Sequence, residues 1–379
     1  MIARRTHWLP LFALVVIVSG CSIGDVRRTP PAPTSSAPTP ASTDPSGPPP
    51  SPAPVAETRR TRLAVPERYD PPFVEFVDAE QGYALFGACD GRPPGPDCRA
   101  LLWSTRDGGR TWQRLRHPKP VADNQQMYAA PGVLALWAEP HGWWTSTDNG
   151  KTFRHTPGEK SPPQWQAAQG RFQLIVDSGK VGRWDGRKLR PLPAQPPVPV
   201  LNTVAEGDGR IVTQDGTEYG GPLVVAGAGE DGRLHTAISI DEGRSWQKTP
   251  VPAPEGEVGV LRVQAVGELW LIGERPDRTS FPALWRLEGR DWKLVSAEGH
   301  PPRGWAVPLG GGIAAVVSPR GAGAVAEGRY VDLPWPLTGD HLLRLLPDGT
   351  LFAGAQEEIL LGVGTFADLT WTAVILETD

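Results

Sequence analysis

Little in this chain is of the kind that usually carries chemistry. Its 379 residues hold 3 cysteines, 2 methionines, 5 tyrosines and 7 histidines. The histidines (His7, His117, His141, His155, His235, His300 and His341) are scattered, without the close pairs a zinc site favours, so no metal is expected. There is no Gly-x-Ser-x-Gly elbow and no glycine-rich phosphate loop, so neither a serine hydrolase nor a nucleotide cofactor is indicated. A formal net charge of -4 with no basic run argues against nucleic acid as a partner. Beyond one apolar run near the start, no stretch approaches the roughly 18 apolar residues that a membrane span needs. A helical stripe of apolar residues is missing as well, which excludes the usual α/β enzyme layouts.

What is present begins with an export address. Arg4 and Arg5 precede the apolar run Trp8 to Val18, and Val18-Ser19-Gly20-Cys21 follows. A basic start and an apolar stretch of about a dozen residues make an export signal, too short to span a bilayer comfortably. The last four residues resemble the lipobox of bacterial lipoprotein signals. The resemblance implies cleavage after Gly20 and a diacylglycerol on Cys21, whose two chains suffice for stable retention. The expected location is therefore the extracytoplasmic face of the cell membrane, held by lipid. Residues 29–56 carry 11 prolines in 28 positions and almost no apolar side chains, so they cannot offset the entropy of folding. The expected organisation is a signal at 1–20, a lipidated cysteine and Pro/Ser/Thr-rich linker at 21–59, and one folded domain at 60–379.

The folded part repeats. Thr105-Arg106-Asp107-Gly108-Gly109-Arg110-Thr111-Trp112 recurs as Ser146-Thr147-Asp148-Asn149-Gly150-Lys151-Thr152-Phe153, and again as Ser239-Ile240-Asp241-Glu242-Gly243-Arg244-Ser245-Trp246. This is the Asp-box pattern, Ser/Thr-x-Asp-x-Gly-x-Thr/Ser-aromatic. Asp107, Asp148 and Asp241 are expected to accept backbone N–H groups across a turn, and Gly109, Gly150 and Gly243 to supply φ > 0. Trp112, Phe153 and Trp246 then open the next strand and cap the blade edge. These residues fold a hairpin and perform no chemistry. Degenerate turns near 185, 289, 328 and 366 complete a series with a mean spacing of about 43 residues, the length of a four-stranded propeller blade. The pattern predicts an all-β fold, a seven-bladed β-propeller with four strands in every blade.

The repeats resemble the propellers of bacterial sialidases, of sortilin-type receptors and of photosystem-assembly-factor proteins. The stretch Phe76 to Ala84 leading to Asp107-Gly108-Gly109-Arg110-Thr111-Trp112 is most similar to the last two. The resemblance implies fold and leaves activity open, since one scaffold hosts many functions. Sialidases carry a Phe/Tyr-Arg-Ile-Pro tetrapeptide, absent here, and a Tyr nucleophile polarised by a Glu, for which no tyrosine stands out. The leading expectation is a monomeric, non-catalytic binding or assembly module for an extracellular protein or glycan, and the alternative is a sialidase-like glycoside hydrolase. Cys89 and Cys98 form an even pair in an exported chain and are expected to be disulfide-bonded. Asp boxes join third to fourth strands and so share one rim. Ligands are expected on the other, where the candidate residues are Arg92, Trp165, Arg275, Asp277, Arg278, Arg303, Trp305 and His341.

Overall fold

The computed structural model describes residues 50–212, 217–228, 233–356 and 358–379. The expected signal peptide, Cys21 and most of the linker lie outside the described residues. The fold is a seven-bladed β-propeller. Blade one pairs Phe73–Phe76, Gly82–Phe86, Leu101–Thr105 and Gln113–Leu115, in order from the inside outward. Blade two pairs Asp123–Ala130, Val133–Glu139, Gly142–Ser146 and Arg154–Thr156. Blades four, five and six are also four-stranded, with inner strands Val200–Glu206, Val260–Ala265 and Trp305–Gly310. In blade seven the inner strand is Leu342–Leu345 and the fourth is Thr370–Glu377.

Blade three departs from the expected four strands. It holds only Phe172–Ile175, Lys180–Trp184 and Leu189–Pro191. Arg171, just before the first of these, pairs with Glu206 and Glu242 on the Asp-box rim, so that strand runs away from this rim as second strands do. The missing strand is therefore the innermost. A single short helix, α1 (Pro163–Ala168), fills the connection in its place and buries none of its residues. Pro162 and Pro163 lack the N–H that an inner strand must donate to its neighbour.

The ring is closed by β1 (Glu57–Arg62), which pairs in parallel with Thr372 to Glu377 as a fifth strand of blade seven. It takes residues 57–59 out of the expected linker. Arg59 donates to the carbonyl of Gly108 at 2.7 Å and Thr61 to that of Gly109 at 3.2 Å, which ties the closing strand to the Asp-box turn of blade one. A Cβ on Gly109 would lie 2.6 Å from Cγ1 of Val374, so the turn and the last blade touch closely.

The Asp boxes work as hydrogen-bonded hairpin turns, with one addition. In the third copy Asp241 accepts the N–H and hydroxyl of Ser245, at 2.9 and 2.5 Å. The first residue of the motif is the hub: the Ser239 hydroxyl donates to Asp241 at 2.7 Å and accepts the N–H of Gly243 at 2.7 Å. Thr105 and Ser146 do the same in blades one and two. The glycines have φ of 90°, 81° and 80°. The aromatic residue does not cap its own blade's edge but reaches into the seam with the preceding blade. Trp112 meets Phe76 edge-on at 6.2 Å between blades seven and one, and Phe153 packs between blades one and two. Trp246 donates to the carbonyl of Ala194 at 3.1 Å.

Candidate binding rim

Strand direction alternates within a blade, so second-to-third loops and blade-to-blade connections share the rim opposite the Asp boxes. On it the inner strands of blades one, four and seven begin with apolar residues left in solvent: Phe73 is 51% exposed, Val200 53% and Leu342 65%. The second-to-third turn of blade three adds Val176, 92% exposed. Val363, 46% exposed, is the counterpart on the Asp-box rim, but large apolar side chains gathered in this number are a mark of an interaction surface.

Cys89 and Cys98 are disulfide-bonded, with Cα atoms 6.0 Å apart. The bond staples the second-to-third loop of blade one, which is further tied to the chain entering the ring by backbone bonds from Asp90 to Arg68 and from Asp70 to Ala88. Arg92 stands exposed on this loop, away from the other candidates.

Five of the candidates are gathered at blades five and six. The loop after Glu274 folds back on itself: Asp277 accepts the N–H groups of Thr279 and Ser280 and the Ser280 hydroxyl at 2.6 Å. Those bonds, the Ser280 hydroxyl first, hold the Asp277 carboxyl down at about 2, with nearby Arg303 adding to the effect. Ser280 and Arg303 bridge this loop to the connection that leads into Trp305. Arg275 donates to the carbonyls of Phe281 and Glu257, at 3.0 and 3.1 Å, while Arg278 points out at φ 57°. Arg262, on the inner strand of blade five, lies beneath them. Its guanidinium stands 5.0 Å from the Trp305 ring centre and its Nε lies 3.3 Å from Glu274. Burial pushes the Arg262 pKa down, and Glu274 partly opposes this. Arg262, Glu274, Arg275, Arg278 and Trp305 line one cleft whose enclosed space, about 10 Å³, holds little more than one water. A space of that size is too small to enclose a drug-sized molecule.

Sequence reasoning placed Glu274 at the head of this loop but missed Arg262. The signal was an arginine set in the apolar run Val260-Leu261-Arg262-Val263, where strand alternation alone would put solvent or a partner. Two candidates do not belong to the rim surface. His341 is 2% exposed, and its Nδ1 accepts the N–H of Thr338 at 3.0 Å, so it holds a loop together. Trp165 sits half-buried on α1 with its ring 5.5 Å from that of Tyr128, at the vacant inner-strand position of blade three.

A larger cavity, about 300 Å³, lies on the Asp-box rim between β1 and blade one, lined by Arg59, Glu80, Arg106, Asp107 and Arg110. Arg59 and Arg110 both pair with Glu57, at 2.7 and 3.0 Å, so these charges serve ring closure. Among the described residues no tyrosine hydroxyl is hydrogen-bonded to a glutamate. Tyr69 donates to the carbonyl of Arg99, Tyr128 to Gln126 and Tyr330 to Asp332, while Tyr83 and Tyr219 accept from Gln81 and Arg244.

No protein-family model matches the chain, and no curated protein matches it. Solved structures similar to it include YCF48 bound to D1 peptide, at 15% identity over 79% of this chain and 93% of that one, with a TM-score of 0.43. YCF48 from Cyanidioschyzon merolae is 11% identical over 79% and 97%, with a TM-score of 0.45. Trypanosoma rangeli sialidase in complex with the inhibitor DANA is 14% identical over 80% and 54%, with a TM-score of 0.31. Superposition this loose says nothing of ligand or chemistry.

Proposed function

We propose that this chain is a non-catalytic binding module, held at the extracytoplasmic face of the membrane by a lipid on Cys21. Of the two ligand classes the sequence leaves open, protein and glycan, a protein suits the rim opposite the Asp boxes better. The observation that carries the reading is the pairing of exposed Phe73, Val200 and Leu342 with the arginine and tryptophan cleft at blades five and six. The partner this fits has apolar side chains and a carboxylate: the first lose water against the strand heads, and the second pairs with Arg275 and Arg278. Arginine and tryptophan are the residues most often found at the centre of protein interfaces. The disulfide supports the reading, because a stapled loop loses less freedom on binding.

A photo-crosslinking amino acid placed at position 278 should capture a partner on cells, and the same group at position 151, on the Asp-box rim, should not. Changing Arg275 and Arg278 to Ala, or Cys89 and Cys98 to Ser, should weaken capture while the ring stays folded. Capture from position 151 alone would show that the face is misassigned. Turnover of a fluorogenic sialoside by the purified chain would replace this reading with the sialidase-like one.

A further inference from the structure

We propose that the seam between blades two and three is a second binding site, one that takes a neutral oligosaccharide. Buried hydrophobic clusters close the other six seams of the ring. Among the described residues none closes this one. The cause is the missing inner strand of blade three: no apolar strand comes to cover the face that blade two turns toward it, and α1, which lies there instead, has none of its own residues buried.

That face is built from rings and amides. Gln126, Trp137 and Trp143 are cross-strand partners and so point the same way, and Tyr128 lies two residues along from Gln126. The Tyr128 ring is 5.6 Å from Trp143 and 5.5 Å from Trp165, and Trp137 is 5.2 Å from Trp143. Trp143 is buried, while Tyr128, Trp137 and Trp165 keep part of their surface in solvent. Beside them runs a chain of hydrogen bonds up the inner strand. The Tyr128 hydroxyl donates to Gln126, Gln126 donates to Asn124 at 3.3 Å, and Asn124 donates to Glu139 at 3.1 Å.

A pyranose presents apolar C–H faces and a rim of hydroxyls. The first stack on indole and phenol rings, and the second are donors and acceptors at once, as are the Asn and Gln amides that would meet them. No lysine or arginine stands on the ladder, and Asp123 and Glu139 flank its open end, so an acidic sugar is disfavoured and a neutral one is not. The site is distinct from the arginine cleft at blades five and six, and the two proposals stand or fall separately.

Calorimetry on the full chain in detergent tests the idea, with glucose, mannose and galactose tetrasaccharides as probes and sialyllactose as the acidic comparison. At least one neutral tetrasaccharide should bind saturably. Trp165→Ala should weaken it by about tenfold, with Trp165→Phe recovering part of the loss. Gln126→Ala should weaken it less, and Lys248→Ala, on the outer strand of blade four, should leave it unchanged. Unaltered circular dichroism in each variant separates loss of the site from loss of the fold. The proposal is overturned if no tetrasaccharide saturates, if sialyllactose binds more tightly than every neutral probe, or if Trp165→Ala and Gln126→Ala leave affinity intact. Displacement of the sugar by a peptide of residues 29–49 would leave the site in place. Binding of that peptide by a chain that binds none of the tetrasaccharides would overturn the proposal.

Discussion

The hydrogen-bond geometry of the third Asp box makes an unobvious forecast: its serine matters more to stability than the aspartate that names it. Ser239 is 2% exposed and its hydroxyl is the acceptor for the buried N–H of Gly243. Ser239→Ala strands that N–H away from water and frees one acceptor position on Asp241. Leaving a buried donor unpaired costs about 1–3 kcal/mol, and the lost bond to the Asp241 carboxylate adds to it, for a total of at least about 2 kcal/mol. Asp241→Ala also breaks three bonds, but Ser245 is half-buried at most, so water can replace two of them, and the cost should be about 1–2 kcal/mol. Because the two side chains share a bond, the double variant should cost less than the sum.

The assay is urea unfolding at neutral pH, comparing midpoints at a common slope. The pH dependence adds a second reading. Burial raises the Asp241 pKa, but the Ser245 hydroxyl and N–H, with Ser239, outweigh it and hold the group below 3.8. A depressed carboxyl contributes its full stabilisation above its unfolded pKa, about 4, and that contribution is lost progressively as pH falls from there through the lower pKa of the folded state. Asp241→Asn should flatten that acid limb. A cost for Ser239→Ala of a few tenths of a kcal/mol, or one smaller than that of Asp241→Ala, would refute the reasoning.

Three further outcomes are expected. Burial, only partly opposed by Gln125, holds the His117 imidazole down at about 4. Its neutral form is favoured by folding, so its contribution is whole above pH 6.5 and declines as pH falls toward 4; an NMR titration midpoint near 6.5 would refute this. Gly109→Ala puts a Cβ against Val374 at a φ of 90° and should cost about 2–4 kcal/mol, with faster amide exchange in β1 than in blade four; equal exchange in the two would count against β1 as the closing strand. Cys21→Ser should free the chain from the membrane fraction or leave it uncleaved, and unchanged detergent-dependent retention would refute the lipid anchor.

The blades were legible because the Asp-box recipe is local. Each copy states its own turn within eight residues, and the φ, the carboxylate and the following strand all follow from it. What depends on distant pairing was hidden. Glu57–Arg62 reads ETRRTR, with no apolar face, and becomes a strand only because Thr372 to Glu377 offers an edge. The loss of an inner strand in blade three leaves the turn near 185 in place, so counting turns cannot reveal it. His341 reads as a loop residue and is buried because Thr338 holds its ring. Arg262 reads as a strand interruption, and its meaning appears only when Trp305 and the 275–282 loop fold over it.

The two rims also divide the work in a way that sets where change is tolerated. On the Asp-box side, neighbouring blades are laced turn to turn. Asp348 of blade seven accepts the N–H of Ala79 in blade one at 2.9 Å, Asp208 that of Gly267 at 2.8 Å, and Glu268 that of Gly312 at 2.7 Å. Where blade three lacks its first turn, Arg171 takes over, bridging to Glu206 and Glu242 of blade four, with Glu242 held at φ 57°. These carboxylates and guanidinium groups are committed to the ring, so replacing them costs stability first. The other rim carries its apolar residues in solvent and leaves Arg278 and Arg303 exposed, so the same replacements there cost little stability. Recognition can therefore diverge on one rim while the lacing on the other keeps seven unequal blades in register.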